Sequence, residues 1–464
     1  MPATDPALLS AEDMLELFAR RTLSPVEVLQ AVIQRVARLN PGLNAFAVMN
    51  PRALEAAGES EMRWRAGRPI GKLDGVPCTV KDLVDLAGFP TRRGSRTSDP
   101  TPVPDDAPSV VGLKAAGAVI LGKTTTTEYG WKSPGDCPLH GITRNPWNQA
   151  YTTGGSSSGA GAAGAAGFGP LHIGTDAGGS IRIPAAWCGL VGLKPTFGRV
   201  PIWPASAFPG VSVAGPMTRG VRDAALMLTA MARYDVRDPF AVPDDGTDWR
   251  DGIEMGVAGL TVGVLRCPGF DAPVDADGIA AVEQAAALMS DAGATVDEAT
   301  PDLPDTRAIF AGVWGSSLAR LAASFPEEKR ALLDSGIREV AEQLGGMTAK
   351  QFLDGEAMRA AAAHAVARLH QRFDIVLCPT VPAGPPLADA PTENPVEALW
   401  TQWAPWTFTF NLTRQPAMTV PLGLRATGLP NAVQFAAAQY REDLVLRAAR
   451  VVELAQPFPM AAPE

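Results

Sequence analysis

Three short segments of the chain carry side chains capable of covalent chemistry without a histidine. In GVPCTVKD (residues 75–82), Lys81 ends a strand-like run. That position lets its ammonium point into the protein interior, where desolvation favours the neutral amine. A neutral lysine is a usable general base at pH 7. In IGTDAGGSIRIPA (173–185), Ser180 follows Ala177, Gly178 and Gly179. The two glycines leave successive backbone amides unobstructed, and such amides can converge on one oxygen as an oxyanion hole requires. The third segment, TTGGSSSGAGAA (152–163), is rich in further hydroxyls. A serine is a weak nucleophile until a base takes its proton, and Ser-Lys arrangements can replace Ser-His ones. Read singly, each segment has a plainer explanation: Lys81 as an exposed strand-end lysine beside Asp82, and GGS as an ordinary turn.

Three other pattern matches fail on their surroundings. GAVILGKT (117–124) fits a P-loop expression. Its variable positions themselves form a strand, however, and a β-branched run follows where a helix should start, so Lys123 reads as a strand-end lysine. Gly159, Gly161 and Gly164 have dinucleotide-fingerprint spacing but no buried strand before them, and Asp176 comes too early for the expected acid. Gly155, Ser157 and Gly159 match a nucleophile elbow, which needs an apolar strand upstream and a late histidine. His364 and His370 lie in the helical run AAAHAVARLHQRF, and His172 shares a short strand that turns it away from Ser180. A Ser-His-Asp esterase is thus an alternative of another class, as is a non-catalytic binding protein.

The elements that must position these residues alternate along the chain. Ser10 with Asp13, and Ser24 with Pro25 and Glu27, cap two amphipathic helices, so residues 1–60 read as N-terminal packing helices. Strand-like runs at 76–80, 118–122, 172–175, 260–265, 294–299, 374–380 and 417–423 are separated by helical pattern near 108–116 and 276–292. This is the signature of an α/β class protein: a single large α/β/α sandwich, its mixed central β-sheet covered by helices on both faces. Residues 70–225 hold the chemistry-bearing core, and 327–372, helical but broken at LGGMT, reads as a cap. The linkers at 236–258 and 381–396 divide no independently foldable halves, so 1–464 is read as one domain. Across residues 145–175 only His172 is titratable apart from Tyr151, and Gly, Ala, Ser and Thr dominate. The small polar residues of this stretch argue against a membrane span and for closely approaching backbones.

Composition narrows the chemistry further. Of 464 residues, 40 are Lys or Arg and 49 Asp or Glu, a net charge of −9 that offers no attraction to nucleic acid or anionic membrane. Glycine (46) and proline (42) are in excess, but ten Trp and sixteen Phe point to a packed chain with many tight turns. Four histidines and no HExxH motif exclude the usual zinc sites, so no metal and no cofactor is expected. Five cysteines, never in a CxxC pair, read as reduced thiols of a cytoplasmic protein. The N-terminal MPATDPALLSAEDM has no secretory pattern.

The lysine motif, GGSSSG and GTDAGGSIR, with Ser156 and Ser180 24 residues apart, together resemble the amidase signature family of serine hydrolases. LNPGLNAF (39–46), GAVILGKT (117–124), RNPWN (144–148), GLVGLKPTFGRV (189–200), GPMTRGVRDAAL (215–226), CPTVPAGPP (378–386) and NLTRQPAMTVPLG (411–423) extend the likeness over nearly the whole chain. The resemblance implies a Ser-Ser-Lys triad: Ser180 as nucleophile, Ser156 as bridging serine after a cis peptide bond at Gly155, and Lys81 as base. It implies an oxyanion hole from the amides of Ala177, Gly178, Gly179 and Ser180. Gly154, Gly155, Thr175, Asp176 and Arg182 become scaffold residues.

Gly130 and Trp131, in the segment 128–143, are expected as pocket walls together with Thr153. Trp203 and Phe208, in the lid-like WPASAFPG, are further substrate-binding candidates. So is Trp403, from the aromatic run holding Trp400, Trp406, Phe408 and Phe410. This aromatic content favours a small-molecule aryl or hydrophobic amide, with carbamates and esters as variants the family also takes. The amidase-like subunit of a tRNA-dependent amidotransferase is the alternative within the family, disfavoured by the departure of 128–143 from the pattern of that group. The expected assembly is a monomer or homodimer.

Overall fold

The computed structural model describes residues 5–392 and 394–463, apart from the side chain of Trp400. Eleven strands form its central sheet: β1 (Phe46–Met49), β2 (Pro77–Lys81), β3 (Val119–Thr124), β4 (Leu171–Asp176), β5 (Val191–Lys194), β6 (Val213–Thr218), β7 (Thr261–Leu265), β8 (Thr295–Ala299), β9 (Ile375–Pro379), β10 (Ala417–Leu424) and β11 (Pro430–Ala437). Their spatial order is β1-β3-β2-β4-β6-β5-β10-β11-β9-β7-β8. Parallel pairs lie toward the two ends (β3-β2-β4 and β9-β7-β8), and antiparallel pairs run through the middle from β4 to β9, so the sheet is mixed as expected.

Both faces of this sheet are buried. Ile375 and Leu377 of β9 belong to one hydrophobic core, while the intervening Val376 and Cys378 belong to another. On β11, Val433, Phe435 and Ala437 join the first core, and Ala432 and Ala436 the second. Side chains two apart on a strand share a face, so the two cores are the two layers between sheet and helices.

The N-terminal helices, α1 (Ala11–Ala19) and α2 (Pro25–Leu43), begin where the caps place them. The Ser10 hydroxyl accepts the Asp13 amide at 3.0 Å, and Ser24 and Glu27 close a reciprocal capping box. The first 60 residues are not all helix, however. Phe46–Met49 pairs antiparallel with β3 and forms the sheet's edge, a strand too short for periodicity to reveal.

Helix α3 (Ser158–Ala165) is buried along its full length. A Cβ on Gly159 would lie 2.2 Å from the Ala45 carbonyl oxygen, which is the close backbone approach that the uncharged stretch suggested. Helix α4 (Arg182–Cys188) follows the GGS loop. Farther along, α5 (Arg307–Ala323), α6 (Ser335–Leu344) and α7 (Ala349–Leu369) pack together, with residues 345–348 breaking the last two apart. Among the described residues no helix is long and apolar enough to cross a membrane.

Candidate active site

Lys81 is the last residue of β2, between the parallel strands β3 and β4, and is fully buried. The carboxyl ends of parallel strands are where open α/β sheets hold their sites. Three hydroxyls surround its amine: Ser156 Oγ, Ser157 Oγ and Thr175 Oγ1, each at 2.8 Å. Desolvation lowers its pKa well below 10.5, and the nearby charge of Asp176 only partly opposes this. Such an amine can accept a proton at neutral pH. The Gly155–Ser156 peptide is cis, as the resemblance implied. The Ser157 amide donates to the Ser180 carbonyl at 3.3 Å and ties the GGSSSG loop to the GGS loop.

The GGS loop hangs on a buried carboxylate. Asp176 accepts the amides of Gly179 (2.8 Å) and Ile181 (3.2 Å), and a two-pronged guanidinium from Arg182 at 2.9 and 3.0 Å. Asn411 adds a bond at 2.8 Å. Burial would raise the Asp176 carboxyl, but the Arg182 charge and these donors bring it to about 2. Arg182 also donates to Gln434, Asn411 and the Thr407 carbonyl, so residues from late in the chain brace the loop. Gly179 sits at φ +138, and a Cβ there would meet Thr407 Oγ1 at 2.4 Å, so no other residue fits. The expectation of four oxyanion amides is altered here. Gly179 spends its N–H on Asp176, whereas the amides of Ala177, Gly178 and Ser180 donate to no protein group among the described residues.

Ser156, Thr175, Ala177 and Ser180 open onto one cleft of about 820 Å³ including its mouth. Leu83, Arg93, Tyr129, Gly130 and the loop 201–208 form much of the rest of the wall. Gly130, Trp203 and Phe208 therefore line it. Trp131, Thr153 and Trp403 do not, and the reason is packing. The Trp131 and Trp403 rings meet edge-on at 6.0 Å, and Trp131 lies under Gly336 of α6. Thr153 turns inward to the carbonyls of Thr143 and Gly154. Phe408 stacks on Phe310, which packs against Gly178, so this part of the aromatic run supports the GGS loop instead of lining the cleft. The histidines stand apart as expected: His172 is locked between Thr79 and the Gly169 carbonyl, and His364 is exposed. Burial lowers the His172 pKa to about 3, so it stays neutral. No cluster of metal-binding side chains exists among the described residues.

A family model for amidases matches residues 27–446. The chain belongs to the amidase signature family. An acylamidase of Rhodococcus erythropolis is 35% identical over 97% of this chain and 96% of its own length. A component of the glutamyl-tRNA(Gln) amidotransferase of Symbiobacterium thermophilum is 32% identical over 95% of this chain and 96% of its own. Among solved structures, a bacterial aryl acylamidase of the amidase signature family superposes with a TM-score of 0.89 at 28% identity, covering 97% of this chain and 96% of the other. This amidase is accordingly a hydrolase that acts on amides.

Several residues of the amidase site escaped sequence reasoning. Ser157 stood inside the quoted GGSSSG motif, where its neighbour drew the assignment. Tyr129 and Arg93 line the cleft, and Asn411, Gln434 and Thr407 brace Asp176 and Arg182 from more than 200 residues away. Asn411 opens the family-like segment NLTRQPAMTVPLG, the one signal that pointed to it.

Proposed function

We propose that this amidase hydrolyses aryl or other hydrophobic amides, and by the same chemistry carbamates or esters, through a Ser-Ser-Lys triad and an acyl-enzyme. Lys81 accepts the proton of Ser156, and Ser156 accepts that of Ser180 as the Ser180 oxygen bonds to the carbonyl carbon. The amides of Ala177, Gly178 and Ser180 hold the resulting oxyanion. When the carbon–nitrogen bond breaks, the relay runs backward and protonates the leaving amine. Water then attacks the ester, its proton follows the same path, and the acid leaves with Ser180 restored.

The carrying observation is the Lys81 amine, buried among three hydroxyls at 2.8 Å with its pKa lowered, beside a cleft lined by both Ser156 and Ser180. The aromatic walls Tyr129, Trp203 and Phe208 support the apolar substrate class. The test is a panel of anilides, fatty amides, carbamates and small polar amides, with a fluorophosphonate label located by mass spectrometry. Turnover confined to small polar amides overturns the substrate class, and labelling away from Ser180 overturns the mechanism. Amidotransferase relatives make tRNA-dependent ammonia delivery the second reading. Turnover of a simple amide by the purified chain alone decides against it.

A further inference from the structure

Of the described residues that line the cleft, Arg93 alone carries a charge. Its backbone is held in the left-handed region at φ +53, and its carbonyl accepts the amide of Tyr129, itself at φ +51. Left-handed backbone is unfavourable for a non-glycine residue, so two linked examples in a cleft wall mark a place the fold specifies closely. The linkage also locates the arginine. Tyr129 precedes Gly130, whose Cβ position lies 3.2 Å from Ser156 Oγ, so the Arg93 backbone is joined to the wall segment that borders the serines.

The guanidinium is under-used. Nη1 donates to the Thr91 carbonyl at 2.9 Å, and Nη2 makes a loose ion pair, 3.8 Å long and beyond hydrogen-bond reach, with Asp85, which is buried and outside the cleft lining. A guanidinium has five N–H donors in a planar fork that matches a carboxylate. Among the described residues the others have no protein acceptor, and no carboxylate lines the cleft to compete for them.

We propose that Arg93 is a specificity-determining residue that binds a carboxylate carried by the amide substrate at the end remote from the scissile bond. The substrate class then narrows from hydrophobic amides to anionic ones, an apolar or aryl body ending in a carboxylate. This rests on the amide-hydrolase reading above. Asp85 orients the arginine from behind, and Tyr129 holds its backbone.

The test compares acetanilide with 3- and 4-acetamidobenzoate, and butyranilide with the monoanilide of succinate. In the wild type a carboxylate member of each set has kcat/KM roughly 10- to 100-fold above its neutral partner, expressed mainly in KM. Arg93→Gln brings that ratio close to 1, and Arg93→Lys retains part of it. A wild type that prefers the neutral partners, or a preference that survives Arg93→Gln, overturns the proposal. Failure of every anilide counts against the hydrolase reading, and binding then decides for Arg93 separately. Calorimetry of 4-acetamidobenzoate with Ser180→Ala, alone and combined with Arg93→Gln, gives a Kd weakened by the same factor if the proposal holds and unchanged if it does not. Should Arg93→Gln melt early by circular dichroism, Arg93→Lys and the loss of the wild-type preference at high salt carry the same decision.

Discussion

Lys81 and Lys123 stand on neighbouring parallel strands, one residue out of step, with Val80 beside Lys123 and Lys81 beside Thr124. Both side chains are fully buried, and burial lowers the pKa of both. Their partners separate them. Lys123 meets the buried carboxylate of Asp82 at 2.8 Å and donates to Thr91 and the Pro90 carbonyl. Lys81 has three hydroxyls around it and no carboxylate at contact. A carboxylate at contact opposes the effect of burial and favours the charged ammonium, whereas hydroxyls serve a neutral amine equally well by donating to it. That contrast suits Lys123 to a structural ion pair and Lys81 to the proton-accepting role proposed for it, though both end strand-like runs in the sequence.

Exchanging each lysine for methionine tests that contrast most severely. Lys81→Met should lower kcat on an anilide at least about 1000-fold, with the melting temperature nearly unchanged. Lys123→Met should do the reverse: Asp82 is left buried and unpaired, and denaturant unfolding should show a loss of about 3–5 kcal/mol. Adding Asp82→Asn should recover part of that stability. If Lys123→Met proved as inactive as Lys81→Met while fully folded, the division of roles would collapse.

A pH profile sharpens the contrast next. Protonated Lys81 cannot accept a proton, so kcat/KM should rise with pH through the Lys81 pKa, which burial sets below 10.5, and level off above it. The midpoint should be the same in Lys123→Arg. A smaller effect comes from the hydroxyls: Thr175→Val removes one 2.8 Å partner of Lys81 and should lower kcat roughly tenfold. The smallest concerns Gly130, at φ +79 with its Cβ position 3.0 Å from Leu83 Cδ1 and 3.2 Å from Ser156 Oγ. Gly130→Ala should cost a few-fold in kcat/KM, because the Leu83 methyl can yield while Ser156 can be displaced only at the expense of its bond to Lys81.

The strands with apolar runs were legible, from Pro77–Lys81 to Ala417–Leu424, because period and composition agree there. Phe46–Met49, Val191–Lys194, Val213–Thr218 and Pro430–Ala437 were not, being short or carrying Gly, Pro, Lys, Asn or Gln inside the sheet. Lys81, Ser156 and Ser180 stood out through local motifs, since a loop that aims amides at one oxygen needs small residues next to the serine. Trp131 and Trp403 misled because an aromatic residue reads the same whether it walls a cleft or packs behind one. Arg93 carried no signal and Tyr129 only its place in the segment 128–143, because a left-handed backbone at a non-glycine residue is imposed by its neighbours.

The sequence by itself determined the sheet class and marked out the motif serines and lysine as candidates. Each of those depends on residues close together in the chain. Only the tertiary structure decided which buried lysine keeps a carboxylate, which of four amides is already committed to Asp176, and which aromatic rings reach the cleft. Those outcomes depend on contacts between residues as distant as Asp176 and Asn411, and pKa, hydrogen-bond availability and exposure are set by what surrounds a group in space.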